Sequence, residues 1–277
     1  MKKLFAAVAA AGMCVSLFAF DVTDYLPLKG TVKSCTRTDY SVTSKFGDYF
    51  RTPETKTVRL FNGAGQETES SEMTPRDVLV NKIQNTYDAA GKLVSQVGYN
   101  SDNALIWKSA VTYGADGNKA DVSEFGKDGT LKSRTIYIYT GNKLSDETYY
   151  SSDGAVASKI TYKYNDAGQL VVESHYYADG SLDEECGYTY TETGKIDTIT
   201  HTDGFGSVKN RDYFRYGADG VLNEVTTSGA DNKTTKRKII KYDTAGNVSR
   251  ISAYTVGKKF GTTVTDLVDM TEFSYQY

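Results

Sequence analysis

An aromatic residue followed four positions later by a glycine recurs along most of this chain with a period of 26 residues. With the aromatic as position 1, the series is Phe61, Tyr87, Tyr113, Tyr139, Tyr164, Tyr190, Tyr216 and Tyr242; only the step from Tyr139 to Tyr164 is 25. Position 5 is Gly65, Gly91, Gly117, Gly168, Gly194, Gly220 and Gly246, with Gly141 in the shortened copy. Position 17 repeats the device with Gly129, Gly154, Gly180 and Gly206, and with Asn103 and Asn232 in two copies. Gly and Asn share one property, tolerance of left-handed backbone. A three-residue hairpin loop, a type I turn closed by one left-handed residue that forms a G1 bulge, needs that property at its last place. A fixed period of this length marks an array of identical supersecondary units.

Loops at positions 3–5 and 15–17 leave two strands per copy, of about nine and eleven residues, and no 3.6-residue apolar period competes with them. Counting parity through three-residue loops places all odd positions on one face. That face would hold the apolar ladders: Leu93, Leu144, Leu170, Ile196, Leu222 and Val248 at position 7, Tyr137, Tyr162, Tyr188 and Phe214 at position 25, and Trp107. The even face takes Lys108, Arg134, Lys159, Glu173 and Arg211. The expected fold is therefore all-β: an elongated, curled antiparallel meander of about sixteen strands built from 26-residue double-hairpin repeats. Its two free edges would permit edge-to-edge self-association.

Three regions follow. Residues 1–20 read as a signal peptide, with Lys2 and Lys3 before the apolar run Leu4–Phe18, too short to span a bilayer as a mature helix. Lipidation at Cys14 is disfavoured because Met13 stands where a small residue is needed. Residues 21–60 supply N-terminal strands at Thr31–Val42 and Thr55–Phe61 around a turn at Phe46–Gly47–Asp48, with Pro27 and Pro53 outside the strand interiors. Residues 61–277 form the repeat domain, ending in a capping strand at Thr271–Tyr277. Removing Lys2 and Lys3 takes the formal net charge from −3 to −5, which argues against nucleic acid as a partner. Export permits a disulfide, yet Cys35 and Cys186 are no framework, and separate structural roles are the simpler reading.

The runs Tyr87–Asp88–Ala89–Ala90–Gly91–Lys92–Leu93, Tyr164–Asn165–Asp166–Ala167–Gly168–Gln169–Leu170 and Tyr242–Asp243–Thr244–Ala245–Gly246–Asn247–Val248 resemble the YD repeat of the RHS family over residues 61–250. The resemblance implies a spiralling or curling sheet of hairpins on an exported or surface protein; large members encapsulate toxins. Here the period is longer, no self-cleaving core motif or toxin domain is present, and eight copies are expected to be too few for a closed container.

Sixteen strands and an aromatic C-terminus also raise an outer-membrane β-barrel. A lipid-facing surface must be most apolar at mid-strand, where each cation costs roughly 2–4 kcal/mol and an acid less. The odd face carries Asp121, Asp146, Glu184, Asp212, Glu224, Lys236 and Lys238 there, and the even face Lys108, Glu147, Lys159 and Arg211, so neither suits lipid.

No catalytic signature is present: no G-x-S-x-G elbow, no H-E-x-x-H, no P-loop. The one concentration of chemistry surrounds the only two histidines, both at position 12 of successive copies. Under the expected register His175 pairs with Asp183, Asp183 with Asp203, and Glu185 with His201, with Glu173 on the same face. Carboxylates opposite one another call for a counter-ion, so Glu173, His175, Asp183, Glu185, His201 and Asp203 are candidate ligands of a divalent cation; a solvated polar face is the plainer account. A basic stripe, Lys209, Arg211, Arg215, Arg237 and Lys241 beside Tyr213, could meet anionic glycans or headgroups or simply keep a wide sheet soluble. The expected function is an exported, non-enzymatic binding or structural module of the cell envelope, periplasmic or surface-located and not integral to the membrane, with a protein or glycan ligand and no organic cofactor. The alternatives are a toxin-associated accessory or neutralising protein and the outer-membrane barrel.

Overall fold

The computed structural model describes residues 26–45 and 47–277; the signal segment, Cys14 and Phe46 lie outside the described residues. The repeat becomes a succession of strands in chain order. The first six are β1 (Ser34–Lys45), β2 (Asp48–Phe61), β3 (Glu67–Met73), β4 (Leu79–Tyr87), β5 (Leu93–Asn100) and β6 (Leu105–Tyr113). Then come β7 (Lys119–Gly126), β8 (Leu131–Thr140), β9 (Lys143–Ser151), β10 (Val156–Tyr164), β11 (Leu170–Tyr177) and β12 (Leu182–Tyr190). The last six are β13 (Ile196–Asp203), β14 (Val208–Tyr216), β15 (Leu222–Gly229), β16 (Thr234–Tyr242), β17 (Val248–Lys259) and β18 (Thr262–Gln276).

The turns are built as the spacing requires. Between β4 and β5, Gly91 N–H donates to Asp88 O (3.0 Å) and Asp88 N–H to Lys92 O (2.9 Å), with Gly91 at φ +78°. Asn103 and Asn232 stand in the same left-handed region at φ 57° and 61°. Asp77, at position 17 of the first copy, does so at 62°; the Gly/Asn rule passes over it. The residue after the aromatic has its own task. Asp88 Oδ1 accepts the N–H groups of Ala90 (2.9 Å) and Lys92 (2.8 Å), an Asx turn that satisfies two loop donors at once.

Each hairpin carries one further feature. Tyr87 stands opposite Leu93, but Thr86 stands opposite Ser95, so a residue is inserted beside the turn. The same shift recurs at Tyr113, Tyr164, Tyr190, Tyr216 and Tyr242. A one-residue slip exchanges faces. One face therefore combines position 7 and, past the bulge, the even positions of the first strand in each copy with the odd positions of the second. The expected all-odd face does not exist, because the parity count left out these bulges.

The sheet closes. β1 pairs with β2 (Cys35 opposite Arg59) and also with β18 (Cys35 opposite Tyr275, Arg37 opposite Phe273), completing an antiparallel ring of 18 strands. This corrects the open meander of about sixteen strands. The N-terminal strands and an unusually long β18 supply what the repeats lack, and Pro53 lies inside β2, tolerated beside a bulge. Closure removes the long free edges that would have allowed edge-to-edge association. The registers advance about one residue per strand around the ring, giving strands tilted by roughly 37° and a backbone diameter of roughly 30 Å.

Two ladders run around the barrel. Tyrosine hydroxyls donate to the backbone oxygen 20 residues earlier: Tyr87 to Glu67 (2.7 Å), Tyr113 to Leu93 (2.8 Å), Tyr164 to Leu144 (2.9 Å), Tyr190 to Leu170 (2.6 Å) and Tyr216 to Ile196 (2.8 Å). Each captures a carbonyl beside a bulge, where the ladder of backbone bonds is interrupted. At the rim, the position-6 side chain reaches the next turn's glycine oxygen: Gln66 to Gly91 (2.8 Å), Lys92 to Gly117 (2.9 Å), Lys195 to Gly220 (2.5 Å). In the last copy Asn247 instead exchanges two bonds with the backbone of Lys29 (2.7 and 2.9 Å), so the N-terminal segment takes the place of the missing turn. Tyr216→Phe is expected to lower stability by about 1 kcal/mol, the net value of one hydrogen bond; an unchanged urea midpoint would show that the ladder contributes nothing.

The largest apolar cluster, Cys186, Ile199, Phe214, Leu222, Val225, Ile240, Val248 and Ile251, lies on one face between β12 and β17. Ile199 and Val225 are each 2% exposed on a single-layer sheet, which identifies this as the concave, lumen-facing side. The opposite face, with Thr86, Thr112, Ile138, Lys163, Arg215 and Lys241 exposed, is the outer wall.

Candidate functional site

The inner wall from β7 to β15 collects the buried carboxylates and histidines. On β9, Glu147 is 3% exposed and accepts hydrogen bonds from Tyr149 (2.8 Å) and Tyr162 (2.9 Å). Burial and then the Glu147 charge push both phenols well above the usual range. Beside them the Lys119 ammonium lies 3.7 Å over the Tyr137 ring, and burial pulls its pKa down. Two strands on, Glu173 meets the His175 Nε2 at 2.9 Å and the Tyr188 hydroxyl at 3.3 Å. Tyrosines that the sequence places in the apolar ladders thus also hold the carboxylates in place.

The next strands carry the tightest cluster. Cys186 stands directly opposite His201, and Glu184 precedes Cys186 by two residues on the same face. His201 Nδ1 lies 3.0 Å from Glu184 Oε1 and 3.4 Å from Cys186 Sγ. Its Nε2 lies 3.1 Å from Asp212 Oδ2, and Asp212 Oδ1 accepts the Thr227 hydroxyl at 2.5 Å. Lys209 Nζ donates to the other Glu184 oxygen at 2.7 Å. Burial alone would depress the His201 pKa, but Asp212, Cys186 and Glu184 outweigh it and raise the value to about 11. Burial opposes Glu184 likewise, yet Lys209 and His201 hold its carboxyl below the ordinary range. Burial pushes the Cys186 thiol up.

Of the six residues singled out by sequence, three face the lumen together: Glu173, His175 and His201. Asp203 joins them opposite Glu184 at the edge of the cluster. Asp183 and Glu185 do not. Asp183 accepts the Tyr177 hydroxyl, and Glu185 the Ser174 hydroxyl at 3.0 Å. The observed partners are shifted by one: His175 pairs with Glu184, not Asp183, and His201 with Cys186, not Glu185. The cause is again the bulge beside each turn. Glu184, Cys186 and Asp212 were missed for that reason alone, since all three already stood at odd positions of a second strand. Cys35 and Cys186 are both free and buried on well-separated strands.

The outer wall has a different character. Position 22 places Lys82, Lys108, Arg134, Lys159, Arg211 and Arg237 at outward sites, interrupted by Glu185 in the copy that begins at Tyr164. Lys159 pairs with Asp146 and Arg237 with Glu224, both at 2.6 Å; Arg134 pairs with Asp121. Lys82 and Lys108 lie over the rings of Tyr99 and Phe125. Of the basic stripe read from the sequence, Arg211 and Arg237 belong to this row and Arg215 and Lys241 are exposed beyond it, whereas Lys209 turns to Glu184 of the inner cluster.

No family model matches the chain, and no curated protein is similar to it in sequence. Among solved structures, the barrel is similar to a porin-like protein from Bacteroides uniformis, at 12% identity and a TM-score of 0.50, covering 90% of this chain and 99% of that one. A porin-like protein from Bacteroides vulgatus matches at 14% identity and a TM-score of 0.34 over 72% of this chain and 95% of the other. A protein of unknown function from Bacteroides fragilis matches at 12% identity and 0.23, over 55% and 96%. At these identities the first likeness concerns the fold: a closed, many-stranded antiparallel barrel. The two weaker ones add nothing to it.

Proposed function

We propose that the protein is an exported, non-enzymatic β-barrel of the cell envelope, bathed in water on its outside and binding a ligand on its inner wall. The observation that carries this reading is the division of chemistry between the faces. Buried, mutually satisfied carboxylates, histidines and tyrosines line the lumen, whereas the outer wall carries a row of cations, five of them paired with acids or stacked on aromatics and Arg211 bonded to the Asn232 amide. An outward row of six cations near mid-strand, broken only by Glu185 and with each cation costing roughly 2–4 kcal/mol in a bilayer core, is a surface made for water. Barrels of this strand number leave room inside for more than side chains. The expected ligand is polar, since its contacts would be hydroxyls, carboxylates and imidazole; a glycan satisfies that description.

The second reading, an outer-membrane barrel, is favoured by the closed ring of 18 strands and by the likeness to a protein described as porin-like. Fractionation separates the two. Release of the processed protein from washed envelopes by alkaline carbonate is expected. Retention until detergent is added, with an electrophoretic mobility that changes on boiling, would replace the aqueous reading with the membrane one. The accessory or neutralising role suggested by the YD-like repeat would instead show as a single protein partner retained from envelope extracts.

A further inference from the structure

Glu184, Cys186 and His201 stand closer to one another than a polar lining needs. Their donor atoms, Oε1, Sγ and Nδ1, make a triangle with edges of 3.0 Å (O to N), 3.4 Å (N to S) and 3.8 Å (O to S). An ion bound tetrahedrally at roughly 2.0 Å from oxygen and nitrogen and 2.3 Å from sulfur separates its ligands by about 3.3–3.6 Å. The triangle lies within a few tenths of an ångström of those separations, and all three donors fall within 4.8 Å of one another. We propose that this triangle is a binding site for a thiophilic divalent transition metal, zinc by its donor set, with the fourth position open toward the lumen.

Three further features fit a metal better than a hydrogen-bonded cluster alone. The first is the donor chemistry: one thiol, one imidazole and one carboxylate are zinc ligands, whereas calcium and magnesium take oxygen. The second lies behind the histidine. With Nδ1 turned to the ion, the Nε2–H points at Asp212 Oδ2, itself held by Thr227, the carboxylate–histidine arrangement that orients a ligating imidazole. The third is rigidity. Cys186 and His201 are directly opposed on paired strands, Glu184 is two residues along, and Lys209 anchors its second oxygen. Binding displaces the thiol proton and any proton on Nδ1 to solvent, leaving a thiolate and a neutral imidazole as ligands. The proposal does not depend on the lumen-ligand reading above; the site could equally stabilise the wall.

The test uses the purified, chelator-treated full-length mature protein with Co²⁺ and Zn²⁺. The expected result is one equivalent of Co²⁺ with a near-ultraviolet thiolate-to-cobalt band, displaced by one equivalent of Zn²⁺. The band should vanish in Cys186→Ser and persist in Cys35→Ser. Asp212→Asn should keep the band but weaken affinity about 10–100-fold. Should Cys186→Ser fail to fold, the wild-type protein still decides the matter: Zn²⁺ should slow alkylation of Cys186, mapped by mass, and leave Cys35 unchanged. Absence of the band together with unprotected Cys186, or a band that follows Cys35, overturns the site.

Discussion

Replacing His201 by alanine is expected to destabilise the metal-free barrel by about 3–5 kcal/mol, the usual result of removing one member of a buried ionic network. His201 bridges Glu184 and Asp212, which are 6% exposed each. Without it Asp212 keeps its bond from Thr227, and Glu184 keeps Lys209 and the thiol. The double variant His201→Ala/Asp212→Asn should recover part of the loss, because it removes the orphaned charge as well. Urea titration of the wild type and both variants reads this directly. A loss below about 1 kcal/mol for His201→Ala would mean that the cluster is solvated and not a coupled unit.

The same contacts fix the pH dependence. His201 has a folded pKa of about 11, raised above its ordinary 6.5, so the stability it contributes is complete below pH 6.5 and disappears as pH rises through about 11. Glu184 is lowered from 4.5, so its contribution is present above that value and disappears as pH falls through its depressed pKa. The metal-free protein should therefore be most stable between about pH 4.5 and 6.5, declining on the basic side by at most about 1.4 kcal/mol per pH unit for this one proton. His201→Gln should flatten the basic limb between pH 7 and 9. A wild-type curve that is already flat there refutes the assignment of the charge to His201.

The turns were legible in the sequence because turn chemistry is local. Left-handed backbone demands Gly or Asn, an Asx turn demands Asp or Asn after the tyrosine, and neither depends on anything distant. Asp77 shows the limit, since aspartate takes that conformation less often and gives no periodic signal of its own. Facing was not legible. A bulge beside the turn leaves no mark in composition, yet one inserted residue per hairpin moves Asp183 and Glu185 away from the histidines and brings Glu184 and Cys186 to them. The donor set changed, while the place on the barrel did not. Charge at mid-strand could be read on both faces, but only the register shows that the outward half forms ion pairs and the inward half a buried network.

Closure was the hardest feature to read, because it depends on two strands outside the repeat finding each other across nearly the whole chain. β1 and β18 each have the length and register to pair on both sides, and that pairing makes the strongest remaining prediction. Thr36 and Ser274 are directly opposite on these strands, on the outer wall, so cysteines placed there in a Cys35→Ser background should oxidise to a disulfide without a change of fold. A link between the ends of so long a chain removes a great deal of unfolded-state entropy, about 5 kcal/mol in the loop-closure account. The oxidised protein should migrate faster on a non-reducing gel and resist urea well beyond the reduced form, with the difference abolished by reductant. In an open curled sheet β1 and β18 would be separate edges, and the two cysteines would pair only between molecules. Intermolecular dimers in place of the internal link, at protein concentrations low enough to disfavour chance encounters, would therefore show that the ring is open.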